Sequence, residues 1–503
     1  MVYILQRKFL HSELMLIFKI KQMKFLKYIC IASVFLFFSC DPDKNLNLAP
    51  ENRLTEGSFY TTANQLVSAT NDVYRQLGLL YDAQTIVDQY GELQSDNAYI
   101  FRSSGGSGAY NFIPSFELRS DLMNWDVYYN SIYICNNIIE ILKSTSVSID
   151  ESLKMRMIAE ATLVRSIIYF NMVRVWGSVP LVLEKITVDE AYDHLRESPE
   201  VIYNQIISDL NFAINTLPAS YTGGDVGRLT RYAAAAVLAK VYLTLDKAAD
   251  AQKELEFIIN SNQFSLDAND DGTINMDDFR HLFHADTKNS KESVLEIQYM
   301  AGVNGFNSNH QHAYTPFHAA FHLPGYTLTR RGEGRLTPTM DLISEFEEGD
   351  PRLQETIEMG FEELATGEFV EYPYTKKFND PNIEYSGQNF EVIRYADILL
   401  MYAEVTGNET YLNMVRQRAG LPLYGTDEYP SDLYYTFALA IEHERRVELA
   451  FEFHRFFDLV RTGRAIEVMQ SKGFEKISSD RLLWPIPQNA IDVNPRLTQN
   501  PGY

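Results

Sequence analysis

Apolar residues recur at three- and four-residue spacing along most of the 503-residue chain, the pattern of helices with one buried face. The clearest run is 151–176, where Leu153, Met157, Ala161, Val164, Ile168, Met172 and Val175 share a face. The same spacing predicts helices over 121–143, 199–217 and 230–245, punctuated by Pro180, Pro199 and Pro218. One stretch, RYAAAAVLAKVYLTLDKAADAQKELEFII, has a repeat signature. Leu238, Ala239 and Tyr242 lie on one predicted helix, and Ala251, Leu255 and Ile258 on the next. Small residues at such a seam let two helices approach closely, as in a tetratricopeptide pair. A second Tyr/Ala-rich pair is predicted over 391–418. From 261 to 390 Gly, Pro, Asn and aromatic residues break the periodicity. The expected fold is mainly α: a tetratricopeptide-like helical scaffold over 63–260, a loop-rich ligand-binding lobe over 261–390 and a helical part with an irregular tail over 391–503.

The N-terminus reads as an address. In MKFLKYICIASVFLFFSC, Lys24 and Lys27 precede an apolar run from Tyr28 to Phe38, too short to span a bilayer. Ser39 and Cys40 end it like a bacterial lipobox, although Phe37 and Phe38 stand where an aliphatic and a small residue are commoner. Cys40 is the expected site of a covalent lipid. Residues 1–39 then form an over-long start plus a signal peptide, with Met23 rather than Met1 as initiator. Residues 40–62, polar and Pro-containing, form a tether. The acidic residues after Cys40 resemble the surface-export signal of Bacteroidetes lipoproteins. Cys30 leaves with the signal and Cys135 is left without a thiol partner, so no disulfide framework is expected.

Charge narrows the partners. Asp and Glu outnumber Lys and Arg by 67 to 44, a net charge of −23. Such a surface repels phosphate backbones, so nucleic acid is not an expected ligand.

The order and spacing of several segments carry a family resemblance: WGSVPLV at 176–182, RLTRYAAAAVLAKVYL at 228–243, EEGDPRLQETI at 347–357, VIRYADILLMYAE at 392–404, IEHERRVELAFEFHRFFDLVRTGR at 441–464 and the closing LLWPIPQNAIDVNPRLTQNPGY. Together they resemble the SusD/RagB-like family of outer-membrane nutrient-binding lipoproteins. The resemblance implies a helical fold on a tetratricopeptide-like scaffold and a lipid-anchored position facing the cell exterior. It also implies capture of an oligosaccharide, or in some members a peptide, for a SusC-like TonB-dependent transporter. No catalysis is implied. Two other readings stay open: a surface lipoprotein that binds peptide or protein, and a secreted glycoside hydrolase. No isolated carboxylate pair supports the hydrolase.

Within that frame the charged residues Glu444, Arg445, Arg446, Glu448, Glu452, Arg455, Asp458 and Arg461 read as partly buried ion pairs along helix faces at i,i+3 and i,i+4. Trp125, Trp176 and Trp484 read as packing residues, leaving Tyr, Phe and His to build a sugar platform. Two segments offer one, and the resemblance places ligand contacts in roughly these regions. The first holds Asn97, Tyr99, Phe101, Arg102 and Tyr110. The second, within 299–326, holds Tyr299, Phe306, His312, Tyr314, Phe317 and His318. Flat rings supply stacking area for a pyranose, and Asn, Arg and His supply directed hydrogen bonds. His318 and His322 stand at i,i+4, but Ala319 occupies the position where a zinc protease needs Glu. Residues 267–278, DANDDGTINMDD, match a calcium loop: Asp267, Asn269 and Asp271 at positions 1, 3 and 5, Gly272 at 6, Thr273 at 7, Asn275 at 9 and Asp278 at 12. Asp278 stands where Glu normally binds bidentately. A structural Ca2+ is expected there.

Overall fold

In a computed structural model of the chain, which describes residues 60–101, 112–121, 123–317, 319, 322–327 and 332–503, the helical periodicity becomes the framework. Helices α1 (Ala63–Tyr81), α2 (Asp126–Ser144), α3 (Glu151–Trp176), α4 (Pro199–Thr216), α5 (Arg231–Thr244) and α6 (Ala248–Ile259) follow one another. From α2 onward each packs on the next. The stack continues as α6 meets α7 (Tyr395–Thr406), which packs on α8 (Glu409–Arg418) and α9 (Phe437–Glu448). Nearest-neighbour stacking of helix pairs is what a tetratricopeptide-like scaffold requires. Both expected pairs are present, at α5–α6 and α7–α8.

Local chemistry sets where these helices start. The Asp150 carboxylate accepts from the Leu153 N–H at 3.0 Å to cap α3. Ser198 caps α4, with Pro199 in its first turn. Thr230 accepts from the Ala233 N–H at 3.1 Å to cap α5. Helix α3 is buried almost all round from Met157 to Trp176, as expected of a helix with neighbours on every side. Ala233 to Ala236 are buried in α5; bulkier side chains there would push α4 and α6 apart. Residues 66–503 cluster as one compact unit.

The stretch 261–390 is not purely loops. Eight short strands form four antiparallel ladders among the described residues. β1 (Ala98–Tyr99) pairs with β5 (Thr337–Pro338), β2 (Val179–Pro180) with β3 (Arg196–Glu197), β4 (Ser293–Ile297) with β8 (Phe390–Arg394), and β6 (Ile357–Glu362) with β7 (Phe369–Thr375). All five residues of β8 are buried, so it has no period-two alternation to announce it.

The charged motif of α9 corrects the expected helix-face pairing. Its partners come from distant segments. Glu448 holds Arg352, Arg394 and Arg418 together, all fully buried. Arg394 also reaches Glu292 at 2.7 Å and Glu452 at 2.8 Å. Glu444 takes Arg352 and Arg416 at 2.5 and 2.9 Å. Arg445 bridges Asp397 and Asp458 at 2.7 and 2.8 Å, and Arg455 holds Asp96 at 2.8 Å. Of the expected local pairs, Arg461–Asp458 forms within one helix, α10 (Arg455–Arg461), at i,i+3. Trp125, Trp176 and Trp484 are buried as expected, and the Trp484 indole N–H donates to Gln94 at 2.6 Å. Cys135 is a buried free thiol in α2.

Candidate functional site

An exposed aromatic face forms where β1 meets β5 and the β6–β7 hairpin. The period-two pleat turns Ala98 into the core and Tyr99 outward, and Phe101 lies two residues on. The Phe101 N–H donates to the Gly334 carbonyl at 3.2 Å, holding the chain against 332–335. Tyr99 is 39% exposed and Phe101 50%. The Phe101 ring lies 4.2 Å from the Tyr372 ring, centroid to centroid, tilted by 42°. The Tyr372 hydroxyl accepts from the Phe317 N–H at 3.2 Å. Gly334, at φ +61°, leaves room for that hydroxyl, which a Cβ would meet at 2.7 Å. Phe361 extends the floor 6.2 Å from Tyr372, and His322, held by Glu363 at 3.0 Å, lies 5.7 Å from Phe361. On its other side Tyr99 opens onto a groove of about 440 Å3, walled by Pro114, Ser115, Phe474 and Lys476.

A polar cluster stands beside this face. Glu333 accepts from Gln84 Nε2 at 2.8 Å and from Arg335 Nε at 2.5 Å, with His312 Nε2 at 3.6 Å. Burial alone would raise the Glu333 pKa, but His312 and Arg335 outweigh it and hold the carboxyl at about 2. Below it, burial raises Asp88 to about 7 even though Tyr314 and the Gln84 N–H bond to it.

Of the expected ligand residues, Tyr99, Phe101 and Phe317 come together at the aromatic face, and His312 joins the polar cluster. Three others, Tyr299, Tyr314 and Asn97, are corrected, and Phe306 is half-buried. Tyr299 and Tyr314 are buried, their hydroxyls donating to the Gly78 carbonyl at 3.0 Å and to Asp88 at 2.7 Å. Phe306 stacks on Tyr299 at 5.3 Å and presses on Gly78, where a Cβ would meet its ring at 2.2 Å. Asn97 is buried between Glu92 and Arg446, at 2.9 and 3.0 Å. Tyr299 and Phe306 pack against Gly78 of α1, Tyr314 against Asp88, and Asn97 against Arg446 of α9. Arg102, Tyr110 and His318, like Cys40, lie outside the described residues. Sequence reasoning missed Tyr372, Phe474 and Lys476. The alternation in FVEYPYT marks Tyr372 as a strand residue; nothing local marks the other two.

The 267–278 loop closes on its own backbone. Asp267 accepts from the N–H groups of Asp271 and Gly272 at 3.0 and 2.9 Å, and Asp271 from Thr273 at 2.8 Å. Asp278 is wholly buried and accepts from the Asn269 and Asn275 N–H groups at 3.2 and 2.9 Å. It thereby completes a capping box for the short helix Met276–Leu282. Gly272, at φ +88°, takes the sharp turn, while Ile274 is 47% exposed. Among the described residues, the acidic or His groups whose ligand atoms lie within 4.8 Å of one another are Glu347, His443 and Glu444, and Arg416 already bridges the two carboxylates.

Residues 291–503 match the SusD family, and residues 52–243 match a SusD-like family described as starch-binding and associating with the outer membrane. A SusD-like protein of Bacteroides ovatus is 26% identical over 86% of this chain and 82% of its own. A SusD-like protein of Formosa agariphila is 28% identical over 91% of this chain and 94% of its own. Among solved structures, a laminarin-binding SusD-like protein superposes with TM-score 0.74 at 27% identity, covering 88% of this chain and all of that one. A surface glycan-binding protein of Bacteroides thetaiotaomicron, solved with laminarihexaose, gives TM-score 0.72 at 21% identity over 88% of this chain and all of its own, a likeness of fold.

Proposed function

The chain belongs to the SusD/RagB-like family, and from that premise we propose that it is a surface glycan-binding lipoprotein of the outer membrane, anchored through Cys40, that passes oligosaccharide to a SusC-like TonB-dependent transporter. The observation that carries the reading is the aromatic face. Phe101 lays a half-exposed ring against Tyr372, and the exposed Tyr99 borders the groove walled by Pro114, Ser115, Phe474 and Lys476. Ring faces stack on the C–H face of a pyranose, while Ser115, Lys476 and the Glu333 cluster offer hydrogen bonds to hydroxyls. Binding here makes and breaks no bond. The laminarin-binding relative makes laminarin oligosaccharides the first ligands to try.

The test is calorimetric titration with laminarihexaose and a panel of other oligosaccharides, with reducing ends assayed in the same samples. Saturable binding without new reducing ends supports the reading. Release of reducing ends would replace it with a hydrolase, and binding of peptides alone would replace it with peptide capture. Incorporation of a labelled acyl chain that is lost in Cys40→Ala tests the anchor, and co-purification with a TonB-dependent barrel tests the partner. We further propose that the 267–278 loop takes a calcium ion, which orders the turn and has no role in chemistry.

A further inference from the structure

Strands β4 and β8 set two glutamates directly opposite each other. Glu296 pairs with Glu391 in the antiparallel register. Side chains at such a pair project to the same side of the ladder, with Cβ atoms about 5 Å apart. Phe390, the next residue along β8, points the other way, into the rings of Tyr81 and His310. Glu296 is half-buried and borders a small cavity of about 160 Å3 between β4 and the 219–230 loop. Glu391 lies deeper, 5% exposed. Ser293, on the cavity wall, donates its hydroxyl to Glu391 at 2.6 Å.

Two facing carboxylates repel unless something positive lies between them. Among the described residues, no Lys, Arg or His comes within ion-pair distance of either one. The charges around them are committed elsewhere. Lys288 donates to the Tyr299 carbonyl at 2.7 Å. Arg228, across the cavity, holds Asp225 and Glu160, and Tyr221 donates to the Leu229 carbonyl. Glu292 is held by Arg394 and Arg418, and Glu452 by Arg394 and Lys377. On α5 and α7, Lys240 pairs with Asp397. The donors that do reach the pair are neutral: the Asn289 N–H to Glu296 at 2.7 Å and the Ser293 hydroxyl to Glu391. The second oxygen of Glu391 is buried without a hydrogen-bond partner. Burial, and then repulsion from Glu296, pushes Glu391 well above the carboxylate range, and burial raises Glu296 to about 7. Ionised carboxylates only accept, so this contact closes only when one of the two carries a proton.

We infer that Glu296 and Glu391 share one proton, and that this proton latches β4 to β8. The cavity beside Glu296 gives the proton its route to solvent. Glu296 also holds the turn before β4, where Asn289 sits in the left-handed region at φ +55°. Asn289 exchanges side-chain hydrogen bonds with Gln298 at 3.0 and 2.8 Å, and Asn389 donates to Gln298 at 2.9 Å. Beyond β4, the Tyr299 hydroxyl donates to Gly78 of α1. The latch therefore fastens the 288–298 segment to the scaffold. A carboxyl raised on folding stabilises the fold below its unfolded pKa, and that contribution is lost as pH rises through the folded value. Loss of the proton leaves two adjacent anions without countercharge, and the ladder and its turn loosen before the helices do.

The test is amide hydrogen exchange of the full-length protein at about pH 6 and about pH 9, corrected for the intrinsic exchange rate. Protection of 289–298 and 389–394, taken relative to α3, is expected to fall by about tenfold or more at the higher pH. Glu391→Gln keeps the side-chain shape and offers an amide N–H in place of the shared proton, so its protection is expected to hold at both pH values. Glu296→Gln changes the half-buried partner and carries the same expectation, which keeps the test open if the first variant does not fold. Infrared difference spectra between the two pH values are expected to show a carboxylic C=O band that shrinks in either variant. Wild-type protection that does not change with pH, an equal fall in the folded variants, or a band undiminished in both overturns the proposal. No sugar is present, so the outcome is independent of glycan capture.

Discussion

Tyr99 and Phe101 keep about half their ring area in water and make few contacts that folding needs. Their truncation therefore separates binding from stability. Phe101→Ala is expected to weaken laminarihexaose by about tenfold or more, the loss typical of an aromatic anchor, with a melting shift within about 2 °C. Unchanged affinity in titration would move the platform elsewhere. Tyr314→Ala is expected to do the opposite. It opens a cavity and strips Asp88 of its 2.7 Å hydroxyl partner, so unfolding in denaturant should show a loss of about 3–5 kcal/mol. Both residues look alike as letters. An aromatic side chain serves a core or a ligand equally well, and the segment's neighbours alone decide which. Tyr299 and Tyr314 were readable as aromatic and not as buried.

Helix α9 puts four charged residues into a buried environment: Glu444, Arg445, Arg446 and Glu448. Charges taken from water are tolerable when paired and costly when one partner is lost. Glu448→Gln leaves Arg352, Arg394 and Arg418 sharing less countercharge. A loss of about 3–5 kcal/mol in chemical denaturation is the expected outcome, and a loss below about 1 kcal/mol would show the network to be dispensable. The spacing of these residues shows a charged helix face but not what packs on it, because period 3.6 carries no information about residues 50 or 100 positions away. The 267–278 turn proposed to take calcium is a local element, legible for the opposite reason: turn, acidic spacing and cap all lie within twelve residues. Titration of chelator-treated protein is expected to show one calcium site, lost in Asp271→Ala. A flat isotherm would leave the loop as the self-bonded turn it already makes, with Asp278 serving the cap alone.

For the molecule as a whole, buried carboxylates shape the response to pH. Burial raises Asp88 and Glu92 to about 7. Such groups favour the folded state fully below their unfolded pKa, near 4, and that contribution is lost as pH rises toward about 7. Burial also acts on Glu345 and Glu347, but hydrogen bonds from His443 and the nearby Arg446 and Arg416 outweigh it and hold both at about 2. Their contribution is present above the unfolded pKa and disappears as pH falls toward about 2. The two sets oppose each other and balance near the unfolded pKa, so the melting temperature is expected to peak near about pH 4 and to fall on either side. Thermal scans from about pH 3 to pH 9 check this; a melting temperature still rising at pH 8 would contradict it.

The helical scaffold, both helix pairs and the family were written in local spacing and in motifs, because apolar period and capping residues act over a few positions. The lipobox-like motif and the calcium-type loop are local in the same way. What needed the folded chain was every relation across distance. Pairing of β1 with β5 turns Tyr99 outward, the β6–β7 hairpin brings Tyr372 beneath Phe101, and the core takes Tyr299 and Tyr314 out of contention. Which ring meets water and which charge meets its partner depend on the packing of segments far apart in the chain, and no spacing rule encodes that.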